Sequence, residues 1–320
     1  VIPEGRQARG PRLVLVLSEN WTITSPRDLP ALVEMAVVAE DAGFDVVMVS
    51  EHVVLGPSAG AEGVMSNPRA YAMPGNQDPA TPWPSSIVLL AAIAAATARI
   101  RLGAVALLAP LRHPLLLAKE LATLDLLSEG RLVVQPTVSW HRDEYEALGV
   151  PFARRGRLLD EHLTAWKALW RDSPASFHGE HYAFEDVWLE PKPWRADGPR
   201  LWFGGQTVHP RLLRRLVEHG HGFHPLGIVR REDVEQVRGA LAAAGRGPEA
   251  LEVVGGMRSP FPGDASVAPL GPAIESILPQ WEAGVRTFCI KPNQYLDELH
   301  RFPAWCVEVT ERVGALGLRG

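Results

Sequence analysis

Residues 39–52 read Ala39-Glu40-Asp41-Ala42-Gly43-Phe44-Asp45-Val46-Val47-Met48-Val49-Ser50-Glu51-His52, and this stretch decides the fold. Just upstream, Leu32, Met35, Ala36 and Ala39 fall on one face of a 3.6-residue period. That spacing predicts a helix over 28–41, with Asp28 able to cap it. Gly43 suits the left-handed residue that ends a helix. Residues 44–50 are then a short apolar run, as in a strand buried on both faces. The run stops in polar and charged groups. Helix, tight turn, buried strand and reactive tip together make one unit of a parallel α/β fold.

The same beat extends in both directions. Strands are predicted over 12–17, 100–108, 131–136, 201–203, 222–224, 251–254 and 287–290. Helices are predicted over 85–98, from Pro114 to a stop at Gly130, and over 154–170, 210–218, 232–244, 272–284 and 296–313. Eight such units without an internal repeat argue for one (β/α)8 TIM barrel over 1–320, of the α/β class. An open doubly wound sheet would ask for a glycine fingerprint after the first strand, and Ser18-Glu19-Asn20-Trp21 stands there instead. Two insertions break the beat. Residues 52–84, rich in Pro and Gly, follow strand two on the face where barrels build active sites. Residues 173–199, between helix four and strand five, read either as a structural excursion or as a substrate lid.

Bulk properties narrow the function. The chain has 320 residues, 46% hydrophobic and 22% charged, with a formal net charge of −5. No basic arm or Lys/Arg run suggests a nucleic-acid partner. Cys289 and Cys306 are too few for a disulfide framework, which suits a reducing compartment. The longest apolar run, 87–96, is about half of what a membrane span needs. Residues 1–11 hold no apolar signal core. The expectation is a cytoplasmic protein with a small-molecule substrate.

His52, at the tip of strand two, is the first catalytic candidate, because imidazole exchanges protons near neutral pH. Its alternative is a cap that ties the strand to the loop. Glu51 is its neighbour. Gly204-Gly205-Gln206-Thr207 closes strand five before a helix, where backbone N–H groups make an anion site. Arg112, Arg214 and Arg215 are candidate charge partners there. His219, His221 and His224 are the densest histidine cluster and invite a metal reading, that of a barrel hydrolase. No companion carboxylate and Lys pattern accompanies them, and no metal ligand is assigned. His224 remains a pocket candidate, as does Trp21, while Trp83 and Trp140 suggest aromatic walls. His178 and His181 are expected to face solvent. Asp143 and Glu144 read as acids suited to a helix start. No P-loop, nucleophile elbow or His-Glu-x-x-His helix occurs.

The motifs carry a resemblance. Ala39 to Asp45 running into Ser50-Glu51-His52 is similar to the opening signature of the bacterial-luciferase-like monooxygenases and their deazaflavin-dependent relatives. Ile100-Arg101-Leu102-Gly103, Pro110-Leu111-Arg112-His113-Pro114, Ala118 to Asp125, Leu127 to Arg131, Gly149-Val150-Pro151-Phe152, Arg155-Gly156-Arg157, Pro191-Lys192-Pro193 and Phe203-Gly204-Gly205 follow in the family's order. The resemblance implies hydride transfer with coenzyme F420 as cofactor, or FMN instead, and a homodimer formed through outer helices. An FMNH2-dependent monooxygenase is the alternative chemistry; a flavin-binding barrel without catalysis is another. It places His52 beside the cofactor ring, with Glu51 fixing the ring edge or the loop. It puts a cis peptide at Val105–Ala106, in a strand-three bulge with Ala104, and the cofactor phosphate at Gly204 to Thr207. Ser50, Thr137, Ser139 and Trp140 complete the implied cofactor contacts. Strand four departs from the family: Gln135-Pro136-Thr137-Val138-Ser139-Trp140 lacks the usual alternating glycines. Thr137 and Ser139 either replace backbone contacts with hydroxyls or narrow the groove.

Overall fold

The computed structural model describes residues 10–225 and 229–319, so most of the amino-terminal stretch read for a targeting signal lies outside the described residues. Its strands are β1 Arg12–Val16, β2 Val46–Val49, β3 Arg101–Leu108, β4 Leu132–Thr137, β5 Ala175–His178, β6 Ala183–Val187, β7 Arg200–Phe203, β8 Gly222–Phe223, β9 Glu252–Gly256 and β10 Thr287–Ile290. Eight of them close a barrel in the order β1-β10-β9-β8-β7-β4-β3-β2, and β5 and β6 pair separately. The helices are α1 Leu29–Ala42, α2 Ser86–Ala96, α3 Pro114–Leu127, α4 Arg142–Ala147, α5 Arg155–Arg171, α6 Pro210–His219, α7 Arg231–Ala243, α8 Leu270–Glu275, α9 Ile277–Glu282 and α10 Phe302–Gly314. This is the (β/α)8 barrel with both insertions. By contacts the chain divides into two compact units, one running to Val47 and resuming at Trp202, the other Met48–Leu201.

In the first unit, α1 forms as its sequence dictates. The Asp28 side chain accepts from the Ala31 N–H, and Leu32, Met35, Ala36 and Ala39 are buried. Gly43 ends the helix at φ 97°, a left-handed conformation that glycine adopts without penalty. β1 pairs in parallel with β10, and β10 with β9. The helix predicted over 272–284 is in fact two, α8 and α9. Pro279 has no N–H to offer the preceding turn, and the Ser276 hydroxyl donates to the Ala273 carbonyl at 2.6 Å. The last helix begins at Phe302 rather than at 296, with Pro303 in its first turn.

In the second unit, β3 and β4 pair in parallel along their length, with a register shift between Val105 and Leu107. The buried Arg131 ties three elements together. Its guanidinium donates to the carbonyls of Ala94 (3.1 Å), Thr97 (3.0 Å), Ile100 (3.0 Å) and Ser128 (2.9 Å) and to Thr97 Oγ1 (2.9 Å). The Ala94 and Thr97 carbonyls are at the end of α2 and that of Ser128 at the end of α3, where helices run out of intrahelical donors. α5 lies on α3 through two stacked indoles, Trp166 and Trp170, whose N–H groups donate to the carbonyls of Pro114 and Ala118.

The insertion 173–199 is more ordered than predicted: β5 and β6 form an antiparallel hairpin. Glu161 on α5 holds its turn, accepting the N–H groups of Glu180, His181 and Tyr182 and the His181 Nδ1 at 2.8 Å. His181, expected in solvent, is thus tucked against α5, whereas His178 is exposed. Farther on, Asp125 Oδ2 on α3 accepts the Trp194 N–H at 3.0 Å.

Candidate active site

The second unit gathers its chemistry at the carboxyl ends of β2, β3 and β4. Glu51 is a fastener. Its Oε1 accepts the Leu108 N–H (3.0 Å) and Arg112 Nη1 (2.7 Å), and its Oε2 accepts Arg112 Nη2 (3.0 Å) and the Ser86 hydroxyl (2.7 Å). A bidentate guanidinium, a backbone N–H and a hydroxyl occupy the buried carboxylate. This joins the end of β2 to the end of β3 and the start of α2. Glu51 thereby holds the strand tip in place. Arg112, expected as a partner for an anion, is committed to Glu51.

Ser50 points the other way from Glu51, as alternation along an extended chain requires. Its hydroxyl donates to the Val105 carbonyl at 2.6 Å. The Val105–Ala106 peptide is cis, as the resemblance implied, and lies at the bulge of β3. Along the strand beside it Gly103, Ala104 and Ala106 are small, with Ala104 buried and Ala106 half-buried.

His52 sits in a cluster of rings. Trp83 from the long loop contacts it edge-on at 5.2 Å between centroids, Trp140 at 5.7 Å and His141 at 6.2 Å. Its Nδ1 lies 3.4 Å from Glu144 Oε2. Glu144 is wholly buried. Its Oε1 accepts the Val53 N–H at 2.6 Å and the Val54 N–H at 3.4 Å, while Oε2 accepts the Ser139 hydroxyl at 3.1 Å. A carboxylate already accepting from such donors asks His52 for a hydrogen as well. The ring therefore presents Nδ1–H to Glu144, and Nε2 becomes its proton-exchanging atom.

Glu144 is the helix-start acid that the sequence indicated, and it has a second role. It lies in the first turn of α4, and its partners His52, Val53 and Val54 are 90 to 92 residues earlier in the chain. Its neighbours act alike on the same loop. His141 Nε2 accepts the Gly56 N–H at 2.7 Å, and Asp143 Oδ2 accepts the Ser58 N–H at 2.9 Å. The segment 141–144 thus holds the loop 53–58 through side chains. Burial keeps His141 below the usual imidazole range, against the opposing pull of Asp143 and Glu144.

Ser139 adopts φ 55°, the left-handed region, and its hydroxyl is used inside the protein, donating to Glu144 and accepting the His141 N–H. Thr137 is the half-buried last residue of β4, and Trp140 is half-buried beside His141 at 4.9 Å.

In the first unit, the turn Gly204-Gly205-Gln206-Thr207 follows β7. A Cβ at Gly204 would overlap the His224 carbonyl, so glycine is required by close backbone approach. The turn does not itself open α6: His209 caps that helix, its Nδ1 accepting the Leu212 N–H. His224, after β8, is buried with its Nε2 3.8 Å from Cys289 Sγ. Burial, helped by Arg258, lowers His224 to about 4 and burial pushes the Cys289 thiol up to about 12, so neither carries charge near neutrality. Trp21 is half-buried after β1. The sequence reading passed over Lys291, which is fully buried after β10 and pairs with Glu19 at 3.5 Å. The histidines 219, 221 and 224 do not assemble a ligand set. Among the described residues, the one group with metal-ligand spacing is Glu161, Glu180 and His181, which the hairpin turn already employs.

Comparison with known proteins completes the picture. The family model described as luciferase-like monooxygenase matches residues 12–264, and the chain belongs to that family. An uncharacterized protein of Mycobacterium tuberculosis is 38% identical over 168 residues, 52% of this chain and 57% of that one. The FMNH(2)-dependent dimethylsulfone monooxygenase of Pseudomonas putida is 32% identical over 166 residues, 50% of this chain and 45% of that one. The chain thus spans about half the length of the curated relatives it matches. Among solved structures, the monooxygenase RslO1 from Streptomyces bottropensis superposes with a TM-score of 0.67 at 21% identity, covering 96% of this chain and 97% of that one. An F420-dependent secondary alcohol dehydrogenase in complex with an F420-acetone adduct gives 0.67 at 17% identity, covering 95% and 99%. At these identities the structural likeness establishes the fold.

Proposed function

We propose that this protein is a flavin-dependent oxidoreductase that uses reduced FMN to oxygenate a small organic substrate. The observation that carries the reading is the carboxylate-backed His52 at the tip of β2, in a chain of the luciferase-like family. Similarity to the dimethylsulfone monooxygenase favours reduced FMN over the deazaflavin first expected. The residues fit such a group. The β3 bulge presents small side chains, which admit a planar ring, and the His52 ring stands among aromatics. When bound, a reduced flavin supplies two electrons, so that with dioxygen one oxygen atom enters the substrate and the other leaves as water.

The chain's own residues do the rest. His52 exchanges a proton through Nε2, while Glu144 holds Nδ1–H and fixes the ring. Glu51 and Arg112 hold the strand tip in place. Trp83 and the loop 53–58 shield His52 from water. In the other unit, the turn 204–207 is proposed as an anion-binding turn. A second reading, hydride transfer with F420, draws on the same His52, because reduction of a carbonyl also needs a proton donor.

The homodimer remains a proposal too. α2 carries no charged residue, and it leaves Val88 70% exposed, with Ala92, Ala95 and Ala96 beside it. A helix apolar all round is normally covered, and a second copy is the occupant the family suggests.

The test supplies reduced FMN through NADH and a flavin reductase and screens small sulfones, sulfides and ketones for insertion of one oxygen atom. Products dependent on FMN and oxygen support the reading. Absence of oxygenation, with turnover of alcohols or ketones in the presence of F420, would replace it with the second.

A further inference from the structure

Two buried N–H groups in the His52 cluster meet no acceptor among the described residues. One is Trp83 Nε1 and the other is His141 Nδ1. His141 is fully buried, and its other nitrogen accepts the Gly56 N–H. The neutral ring must therefore carry its hydrogen on Nδ1, so His141 is a donor at the orphaned atom. Trp83 can only donate. Both rings pack against the same imidazole, His52, within 6.2 Å between centroids. Buried donors in native proteins are otherwise almost always satisfied, and two orphans around one reactive side chain mark a ligand's place.

The surroundings specify what the ligand offers. The partners of Glu144 are the N–H groups of Val53 and Val54, the Ser139 hydroxyl and His52, with no Arg or Lys among them. A buried carboxylate without a cation beside it repels an anion. The indoles of Trp83 and Trp140 offer apolar faces. We propose that Trp83 Nε1–H and His141 Nδ1–H each donate to an uncharged carbonyl oxygen of an otherwise apolar or planar molecule bound beside His52. The proposal deepens, and rests on, the assignment of the His52 cluster as the reactive site. Two sources of such an oxygen exist: a carbonyl of the flavin ring, or one of the organic substrate.

Trp83→Phe keeps the ring and removes its N–H. His141→Gln keeps an acceptor for Gly56 and removes the imidazole donor. Each variant is titrated with oxidised FMN, followed by flavin fluorescence. Each is also titrated without flavin with cyclohexanone and with methylenecyclohexane, which lacks the oxygen, followed by tryptophan fluorescence. Loss of one hydrogen bond to a desolvated donor weakens binding by about five- to tenfold. A loss of that size for FMN in both variants identifies the flavin carbonyl. A loss for cyclohexanone with FMN unchanged, and with methylenecyclohexane bound equally by wild type and variants, identifies the substrate carbonyl. Unchanged affinities for both carbonyl probes, or no binding of either by the wild type, overturn the proposal. Should FMN fail to bind while cyclohexanone binding responds to the variants, the flavin reading falls and the carbonyl site stands.

Discussion

His52 Nδ1 lies 3.4 Å from Oε2 of Glu144, a wholly buried carboxylate that also accepts the N–H groups of the two residues following His52. One acid therefore orients both the imidazole and the backbone that carries it. Removing the imidazole and removing its orienter should have separable effects. His52→Gln should lower oxygenation by about 10²–10⁴-fold, the usual contribution of a positioned proton donor. Glu144→Gln should lower it less and alter its pH profile, with FMN affinity retained. Product formation on whichever sulfone or ketone proves active measures both. Full activity in His52→Gln would remove the residue from the mechanism.

Four of the acceptors of Arg131 are main-chain carbonyls. Truncation leaves those acceptors buried and unpaired. Arg131→Ala should destabilise the protein by at least about 3 kcal/mol. Urea denaturation would read this as a lower midpoint at unchanged slope. A shift within error would mean that water replaces the guanidinium at no cost.

Asp125 is buried on α3, and burial raises its pKa to about 6 against the lowering effect of the Trp194 and Arg195 N–H groups. A carboxyl whose folded pKa exceeds its unfolded value favours folding when protonated. Its contribution is therefore present below about pH 4 and is lost as pH rises through about 6. Asp125→Asn cannot ionise and keeps an acceptor for Trp194. Relative to wild type, the variant should gain about 2–3 kcal/mol of stability between pH 4 and pH 7. Parallel stability curves for the two proteins across that window would refute the assignment.

The exposed apolar face of α2 leads to a hydrodynamic prediction. Val88→Glu should convert a dimer to a monomer in analytical ultracentrifugation, because a charge would be buried without a partner. A wild-type monomer at micromolar concentration would show that this face is covered by something other than a second copy.

The fold was legible because its signals are local. The 3.6-residue pattern before Gly43 and the apolar run after it need no distant partner to be read, and both elements formed as expected. The α8–α9 break was missed because it turns on one Pro and one Ser hydroxyl inside an otherwise helical pattern. At the tip, Ser50, Glu51 and His52 follow the end of β2 as the sequence indicated, and the Val105–Ala106 bond is cis as the resemblance implied. Glu144 was read correctly as a helix-start acid, but its distant partners were not legible, for a physical reason. An acid in the first turn of a helix satisfies the dipole locally, and nothing nearby reveals that loop residues 53 and 54 come back to it. His181 was misread for the same reason, its burial depending on Glu161 twenty residues earlier. Ser139 could be foreseen as a hydroxyl in place of glycine, but not that the hydroxyl would be spent on Glu144 and His141.

The most direct test of the central claim is an anaerobic fluorescence titration of the purified protein with reduced FMN, repeated with reduced F420. Saturable binding of FMN at one site per chain, tighter than that of F420, is the expected result. Binding of neither would contradict it, and preference for F420 would turn the protein into a hydride-transfer enzyme built on the same His52.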